Sequence, residues 1–415
     1  MEDIKMEIRF VKPEEVQQLA RNVQTAFPSK TPQALLDNMP GELVHPDEGR
    51  YLGCFDDDGI MIGSLLMMDF QMNVRGKMMK MGAPAYVSTS FLHKKEHVAK
   101  NLLRVQMGVF AQTGTAVGAL HPFNPAFYHK MGYGYCTEQV MYSPRPQYIR
   151  SYGDKSGLSY AKPEDEEEIL EFYRQYARKT HGATIHSFMD KHRIFDEPYV
   201  VVCRRNGRIT GYLTFDFVEV DHYTDMYHDL AVREIICEDM ETMKQFLTFF
   251  ASQTDQIERV RIYTYEEYFH MLFTNPDSGE NRAYDGAIQE TGRKIMGFMF
   301  RILDLDEYFR QQNYCDKPVS REFTLELQVD DDFMESNDKT IQLHIKDREV
   351  KLVSGQRADV VLKTNIADLS SMVIGAIPLE AFLWTGRMEC SDTAYAQDIQ
   401  NAIGWSQKPK NYTYF

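Results

Sequence analysis

No run of apolar residues in this 415-residue chain approaches the roughly 18 needed to cross a bilayer as a helix. The opening Met1–Ile8 (MEDIKMEI) also lacks the charged-then-apolar layout of a secretion signal. A cytoplasmic protein with no membrane partner is expected. Cysteine is sparse: Cys54, Cys136, Cys203, Cys237, Cys315 and Cys390 form no Cys-x-x-Cys pair, which points to reduced, mostly buried thiols. The histidines, His181, His186 and His192 among them, do not stand at the spacing of a familiar zinc site, so no metal is expected. Gly-x-Ser-x-Gly, Gly-x-Gly-x-x-Gly and Gly-Lys-Ser/Thr are missing, and hydrolase, dinucleotide and nucleotide-triphosphate readings lose their usual support. Positive charge is in deficit, with 46 Lys and Arg against 61 Asp and Glu, a net charge of -15. That balance argues against nucleic acid as a partner and is compatible with a cationic small molecule drawn into an acidic cleft.

What the chain does have is length, apolar content and an internal repeat. At 43% hydrophobic residues it holds too much for one core and suggests two or three domains of roughly 100–150 residues. Val11-Lys12-Pro13-Glu14-Glu15 leads into an amphipathic helix carrying Val16, Leu19, Ala20 and Val23. Ala161-Lys162-Pro163-Glu164-Asp165 leads into a second with Ile169, Leu170, Tyr173 and Tyr176. A hairpin follows each: Tyr51 to Phe70 around DDDG, and Tyr199 to Phe217 around Asn206-Gly207, a dipeptide that favours a two-residue turn. The pattern predicts a duplicated α/β unit.

The first copy continues through the richest stretch of the sequence. Gly82 to Thr89 reads as a buried strand, His93 to His97 (HKKEH) as a cationic turn, Val98 to Thr113 as a helix and Ala116 to Leu120 as a strand. The first N–H groups of a helix lack intrahelical partners and sit at the positive end of its dipole. A phosphate can therefore rest against Lys94, Lys95 and those amides. HPFNPAFYHKMGYGY then places Tyr128 on a short turn or helix beyond the second strand, while His121 reads as a strand-end residue with no catalytic role. The second copy has a strand at Ala231 to Cys237, a helix at Glu241 to Ser252 and a strand at Arg259 to Tyr263. Glu238 and Asp239 stand where the first copy has lysines, and they would repel a pyrophosphate.

A third unit has alternating strands at Phe323 to Val329 and Ile341 to Ile345, further strands at Val350 to Val353 and Asp359 to Thr364, and helices at Asn365 to Ile374 and Pro378 to Thr385, the last with proline in its first turn.

The segment from Met81 to Tyr135 resembles the cofactor-binding half of the Gcn5-related N-acetyltransferases, and nearly the whole chain resembles their Eis (enhanced intracellular survival) type. VVLKTNIADLSSMVIG and LWTGRM near the end are similar to the sterol-carrier-protein-like domain that closes such chains. The resemblance implies an α/β (α+β) protein of two tandem Gcn5-related folds, residues 1–150 binding acetyl-CoA and residues 151–300 cofactor-free. A sterol-carrier-protein-like α+β domain follows at 301–415, and its fold reads as structural, not as a lipid carrier. It implies that Val87, Ser88 and Thr89 offer backbone groups to pantetheine, that Lys94, Lys95, His97, Val98, Ala99 and Lys100 surround the pyrophosphate, and that Asn124 approaches the cofactor. The family's loop reads Arg/Gln-x-x-Gly-x-Gly/Ala. Here His97 replaces the glycine, and its Cβ narrows the approach of backbone to phosphate.

Transfer of an acetyl group from a thioester to an amine asks for two proton movements. An alkylammonium, with a pKa near 10.4, must lose a proton before it attacks, and a thiolate with a pKa of about 8.5 leaves more easily when protonated. By resemblance Tyr128, in Tyr128-His129-Lys130-Met131-Gly132-Tyr133, is the general acid, and the terminal carboxylate of Phe415 is the base. The family further implies a wide pocket, an aminoglycoside-like or polyamine acceptor and a hexamer. The alternative reading is a non-catalytic small-molecule-binding protein with a decayed pyrophosphate loop, motivated by Glu96 and His97.

Overall fold

The computed structural model describes residues 6–28, 50–220, 226–278, 283–284 and 288–414. Its first sheet is built around one long hairpin, Met61–Val74 and Lys77–Thr89. Arg75 and Gly76, both left-handed at φ 53° and 85°, close it with a tight turn whose twist suits a right-twisted ribbon. The strand expected at Gly82 is therefore the second half of a longer strand, whose first half alternates with Lys77 and Lys80 and escapes a search for apolar runs. Along Met61–Val74, Leu66, Met68, Phe70 and Met72 pack with Leu19 and Val23 of the helix Val16–Ala26, while Leu65 and Met67 pack with Leu102 and Leu103 of the helix Val98–Gln112. A strand covered on both faces needs no polar side, which is why its sequence is almost continuously apolar.

The sheet order is Glu7–Phe10, Arg50–Phe55, Met61–Val74, Lys77–Thr89, Val117–Leu120, Met299–Ile302 and Gly134–Tyr135. The sixth strand enters from more than 160 residues away in the chain and pairs antiparallel on both sides. The second sheet runs Arg293–Met296, Glu138–Tyr142, Ile257–Thr264, His228–Cys237, Arg208–Glu219, Tyr199–Arg205 and Leu158–Tyr160. Its Asn206-Gly207 turn is left-handed at both positions, as the dipeptide predicts. Glu138–Tyr142 follows directly on the first sheet's Gly134–Tyr135, and Thr184–Ile185 pairs back onto Met72 and Gln71. The two units are thus laced together through their sheets.

The third unit is a five-stranded sheet in the order Glu349–Val353, Lys339–Lys346, Phe323–Asp330, Val360–Asn365 and Glu389–Cys390. Asn365 caps the helix Ile366–Val373, its side chain accepting from the Asp368 N–H at 2.9 Å. Pro378 lies at the N-cap of Leu379–Trp384, one position ahead of the first turn where the sequence reading put it. One apolar core runs without interruption from Leu19 and Phe70 of the first unit through Phe300 and Tyr308 to Leu325, Leu343 and Leu369 of the third.

The helix Val98–Gln112 lies close on the sheet because Gly82 has no side chain: a Cβ there would overlap the Phe110 ring. Gly82→Val is expected to destabilise the first unit by about 1–3 kcal/mol, read as a lowered first transition in chemical denaturation.

Candidate active site

The strands Lys77–Thr89 and Val117–Leu120 pair in parallel only at Met81–Val117 and Gly82–Gly118. Beyond that they separate. A register shift opposite Ser64 to Leu66 places a bulge on the first strand, with Tyr86 left-handed at φ 47°. Bulges bend a strand and sharpen its twist, so this one turns residues 86–89 away from the neighbouring strand and opens the sheet.

The loop after Thr89 leads into the N-terminus of the helix Val98–Gln112, and no side chain caps that end. Lys95 and His97 are both left-handed, at φ 75° and 64°. The loop therefore keeps the conformation glycine would adopt, with L-residues that each carry a cost of about 1–2 kcal/mol. The His93 ring and the Glu96 carboxylate are paired at 2.8 Å, which engages Glu96 beside the helix start. Val87, Thr89, Lys94, Lys95, His97, Val98, Ala99 and Lys100 come together along a cleft of about 540 Å³, closed on its far wall by Phe123, Phe127, Lys130 and Met131. Uncapped amides and four lysines are the donor set an anionic phosphate chain requires. The Ser88 side chain points elsewhere, its hydroxyl 2.7 Å from that of Ser64. Asn124 is taken up as a cap, its Oδ1 accepting from the Phe127 N–H at 3.2 Å at the start of the helix Pro125–His129.

A second cavity of about 410 Å³ shares Val87 and Phe123 with the cleft, and Tyr128 lines it. The Tyr128 ring is 4% exposed and packs edge-on against Phe123, Phe127 and Tyr133. Burial pushes its phenol up to about 12, so it stays protonated through the neutral range.

The last described residues enter the same cavity, where Tyr414 is part of the lining. Thr413 and Tyr412 are buried. Asn411 donates to the Gly182 carbonyl at 3.1 Å and accepts from the Thr413 N–H at 2.7 Å, while the Tyr265 hydroxyl donates to the Asn411 carbonyl. His121 Nε2 donates to the Thr413 carbonyl at 2.8 Å, which fixes the hydrogen on Nε2. Its ring lies against Phe298 and stacks on Tyr414 at 4.8 Å. Tyr414 lines the cavity with Tyr128. Phe415 lies outside the described residues.

The sequence marks His121 only as a strand-end residue and gives no sign of Phe188 or Met189. His121 turns out to hold the tail, and Phe188 and Met189 reach the cavity from the second unit. Nothing periodic marks them, because the contact depends on how the units are laced. No group of three or more His, Cys, Asp or Glu that could hold a metal occurs among the described residues.

The imidazole that meets the tail is neutral, and so is that of His181 beside the hairpin turn. Burial lowers His121 and His181 to about 4, and His181 accepts from the Arg75 N–H and donates to the Ile374 carbonyl. The unfolded chain takes up these protons near 6.5 and the native state only near 4, so stability is full above about 6.5 and is lost as the pH falls through that window. Thermal unfolding followed between pH 4 and 7 is expected to show this loss, with a shallower slope in His121→Gln.

An Acetyltransferase (GNAT) domain family matches residues 7–136 and a second family of that description residues 177–302, while the Sterol carrier protein domain family matches residues 305–411. No curated protein matches the sequence. Among solved structures, a conserved protein of unknown function from Enterococcus faecalis V583, described as a probable N-acyltransferase, is similar at 16% identity and a TM-score of 0.83, covering 99% of this chain and 100% of its own. A GCN5-related N-acetyltransferase from Anabaena variabilis is similar at 17% identity and 0.80, again over 99% of this chain and 100% of that one. Eis1 from Mycobacterium abscessus is similar at 16% identity and 0.75 with the same coverage. With two acetyltransferase domains and a carrier domain in this order, around a sheet opened beside uncapped helix amides, the protein is an N-acetyltransferase of the Gcn5-related family in the Eis-like arrangement.

Proposed function

We propose that the first unit binds acetyl-CoA in the cleft at Lys94–Lys100 and passes its acetyl group to the amine of a small molecule in the adjoining cavity. The observation that carries this reading is the junction at Val87 and Phe123, where a lysine-lined cleft meets a cavity bounded by a protonated phenol and the docked end of the chain. Tyr128 gives its proton to the departing thiolate, and the carboxylate of Phe415 draws one from the attacking ammonium. A terminal carboxylate has a reference pKa of roughly 3.3–3.7 and is a weak base in water. Desolvation raises the basicity of a carboxylate, and its charge also holds an ammonium in place.

For the acceptor we propose an aminoglycoside-like or polyamine compound, which the resemblance to the Eis type implies and with which the net charge of -15 is compatible. The described lining, which includes Phe27, Leu66, Met68, Tyr86, Phe188 and Met189, favours an amine carried beside an apolar body. Comparing kcat/KM for polyamines and arylalkylamines decides between the two. The second unit we read as cofactor-free. Asp239 caps its helix Met240–Ala251 by accepting from the Thr242 N–H at 3.0 Å, so a carboxylate stands where phosphate would sit. Cytoplasmic location and a hexamer complete the reading, the hexamer to be tested by sedimentation.

Calorimetric titration with acetyl-CoA tests the whole, since absence of binding at millimolar concentration removes the enzyme reading of this cleft and returns the decayed-loop alternative. Tyr128→Phe is expected to lower kcat by about 10²-fold with little change in acetyl-CoA affinity; an unchanged kcat removes the tyrosine from its role. A few residues appended after Phe415 are expected to cut thiol release by at least about tenfold, and an extended enzyme as active as the native one refutes the terminal base.

A further inference from the structure

Arg301 is fully buried at the centre of the molecule. It lies on Met299–Ile302, the strand inserted between Val117–Leu120 and Gly134–Tyr135. One arm of its guanidinium donates to the carbonyl of Met131, just beyond the C-terminal end of the helix Pro125–His129 that carries Tyr128; the other is 2.5 Å from the Asp331 carboxylate, itself buried. Asp331 opens the turn after the carrier strand Phe323–Asp330, and its second oxygen accepts from the N–H groups of Phe333 and Met334 at 3.1 and 3.0 Å. The Phe333 carbonyl in turn accepts from Arg104 Nε at 3.2 Å, on the helix Val98–Gln112 that begins at the cofactor cleft. Gly132, left-handed at φ 80°, leaves the space the guanidinium fills, since a Cβ there would overlap it.

We infer that Arg301 and Asp331 are positioning residues for acetyl transfer, seating the Tyr128 turn against the cofactor helix by way of the carrier domain. A helix of one turn has little hold of its own on its last carbonyls, and a charged donor at its C-terminal end complements the exposed carbonyl dipoles. The planar fork of arginine binds the turn and the carrier carboxylate in one fixed geometry, which lysine cannot reproduce. Tyr128 is thereby held in register with a cleft whose helix is tied to the same carrier turn. On this account the carrier domain has a part in the chemistry beyond delivering the end of the chain.

The inference rests on Tyr128 acting as the acid, and a double-mutant cycle separates the two. In the full-length enzyme, Asp331→Asn is expected to lower kcat about tenfold with KM for acetyl-CoA changed less than about twofold, and to change kcat less than about twofold in the Tyr128→Phe background. Equal losses in both backgrounds overturn the inference and leave the acid standing. A native kcat in Tyr128→Phe overturns the acid assignment, and the inference with it. Should Asp331→Asn fail to fold, Arg301→Lys carries the same cycle, because it keeps a charge opposite Asp331 while losing the second arm; native kcat in that variant overturns the inference.

Discussion

Two parallel pairings, Met81–Val117 and Gly82–Gly118, hold the first sheet together at the point where it divides, and the rest of the architecture is arranged around that division. Longer pairing would close the sheet and leave no cleft, while shorter pairing would leave the second strand without an anchor on this side. The bulge at Tyr86 sets the angle of opening on one strand. Met299–Ile302 supports the other from its far edge, so that the separated strand is still paired. Hydrogen-bonding capacity freed on the inner edges faces the opening, where an extended ligand can use it.

The walls of this opening come from all three units, and the last described residues are held there by buried polar contacts. The phenol comes from the first unit, the wall with Phe188 and Met189 from the second, and the tail from the third. Arg75, at the tip of the long hairpin, donates to the Ala402 and Ile403 carbonyls at the C-terminal end of the helix Ala396–Ile403 and lies near the faces of Tyr314 and Trp405. It thereby sets where the last segment departs toward the cavity. A hydrogen bond from a charged donor is typically worth about 1.5–3 kcal/mol, so Arg75 holds this geometry firmly.

The local elements were readable in the sequence because each carries its own period or turn chemistry. Asn206-Gly207 announced a hairpin and Asn365 a helix start. The resemblance at Val87 to Lys100 and at Tyr128 drew attention to residues that do share one cleft or its neighbour. What could not be read is everything that depends on contacts between distant parts of the chain. The boundary expected between residues 300 and 301 falls inside Met299–Ile302, which completes the first sheet. Arg301 and Arg75 are buried, and no local pattern in the sequence marks them. His97 stands where the family has glycine, and its backbone is left-handed, a conformation the sequence does not announce for a histidine.

The inserted strand also bears on how the protein is made. Residues of the first sheet leave the ribosome early, but the partner for Val117–Leu120 arrives only after the entire second unit has been synthesised. Until then an apolar strand edge waits unpaired, which is a template for wrong pairing and self-association. Folding of the first unit is therefore tied to translation of nearly three hundred residues, and a gene fragment ending before Met299 would yield an aggregation-prone product in place of a smaller working enzyme.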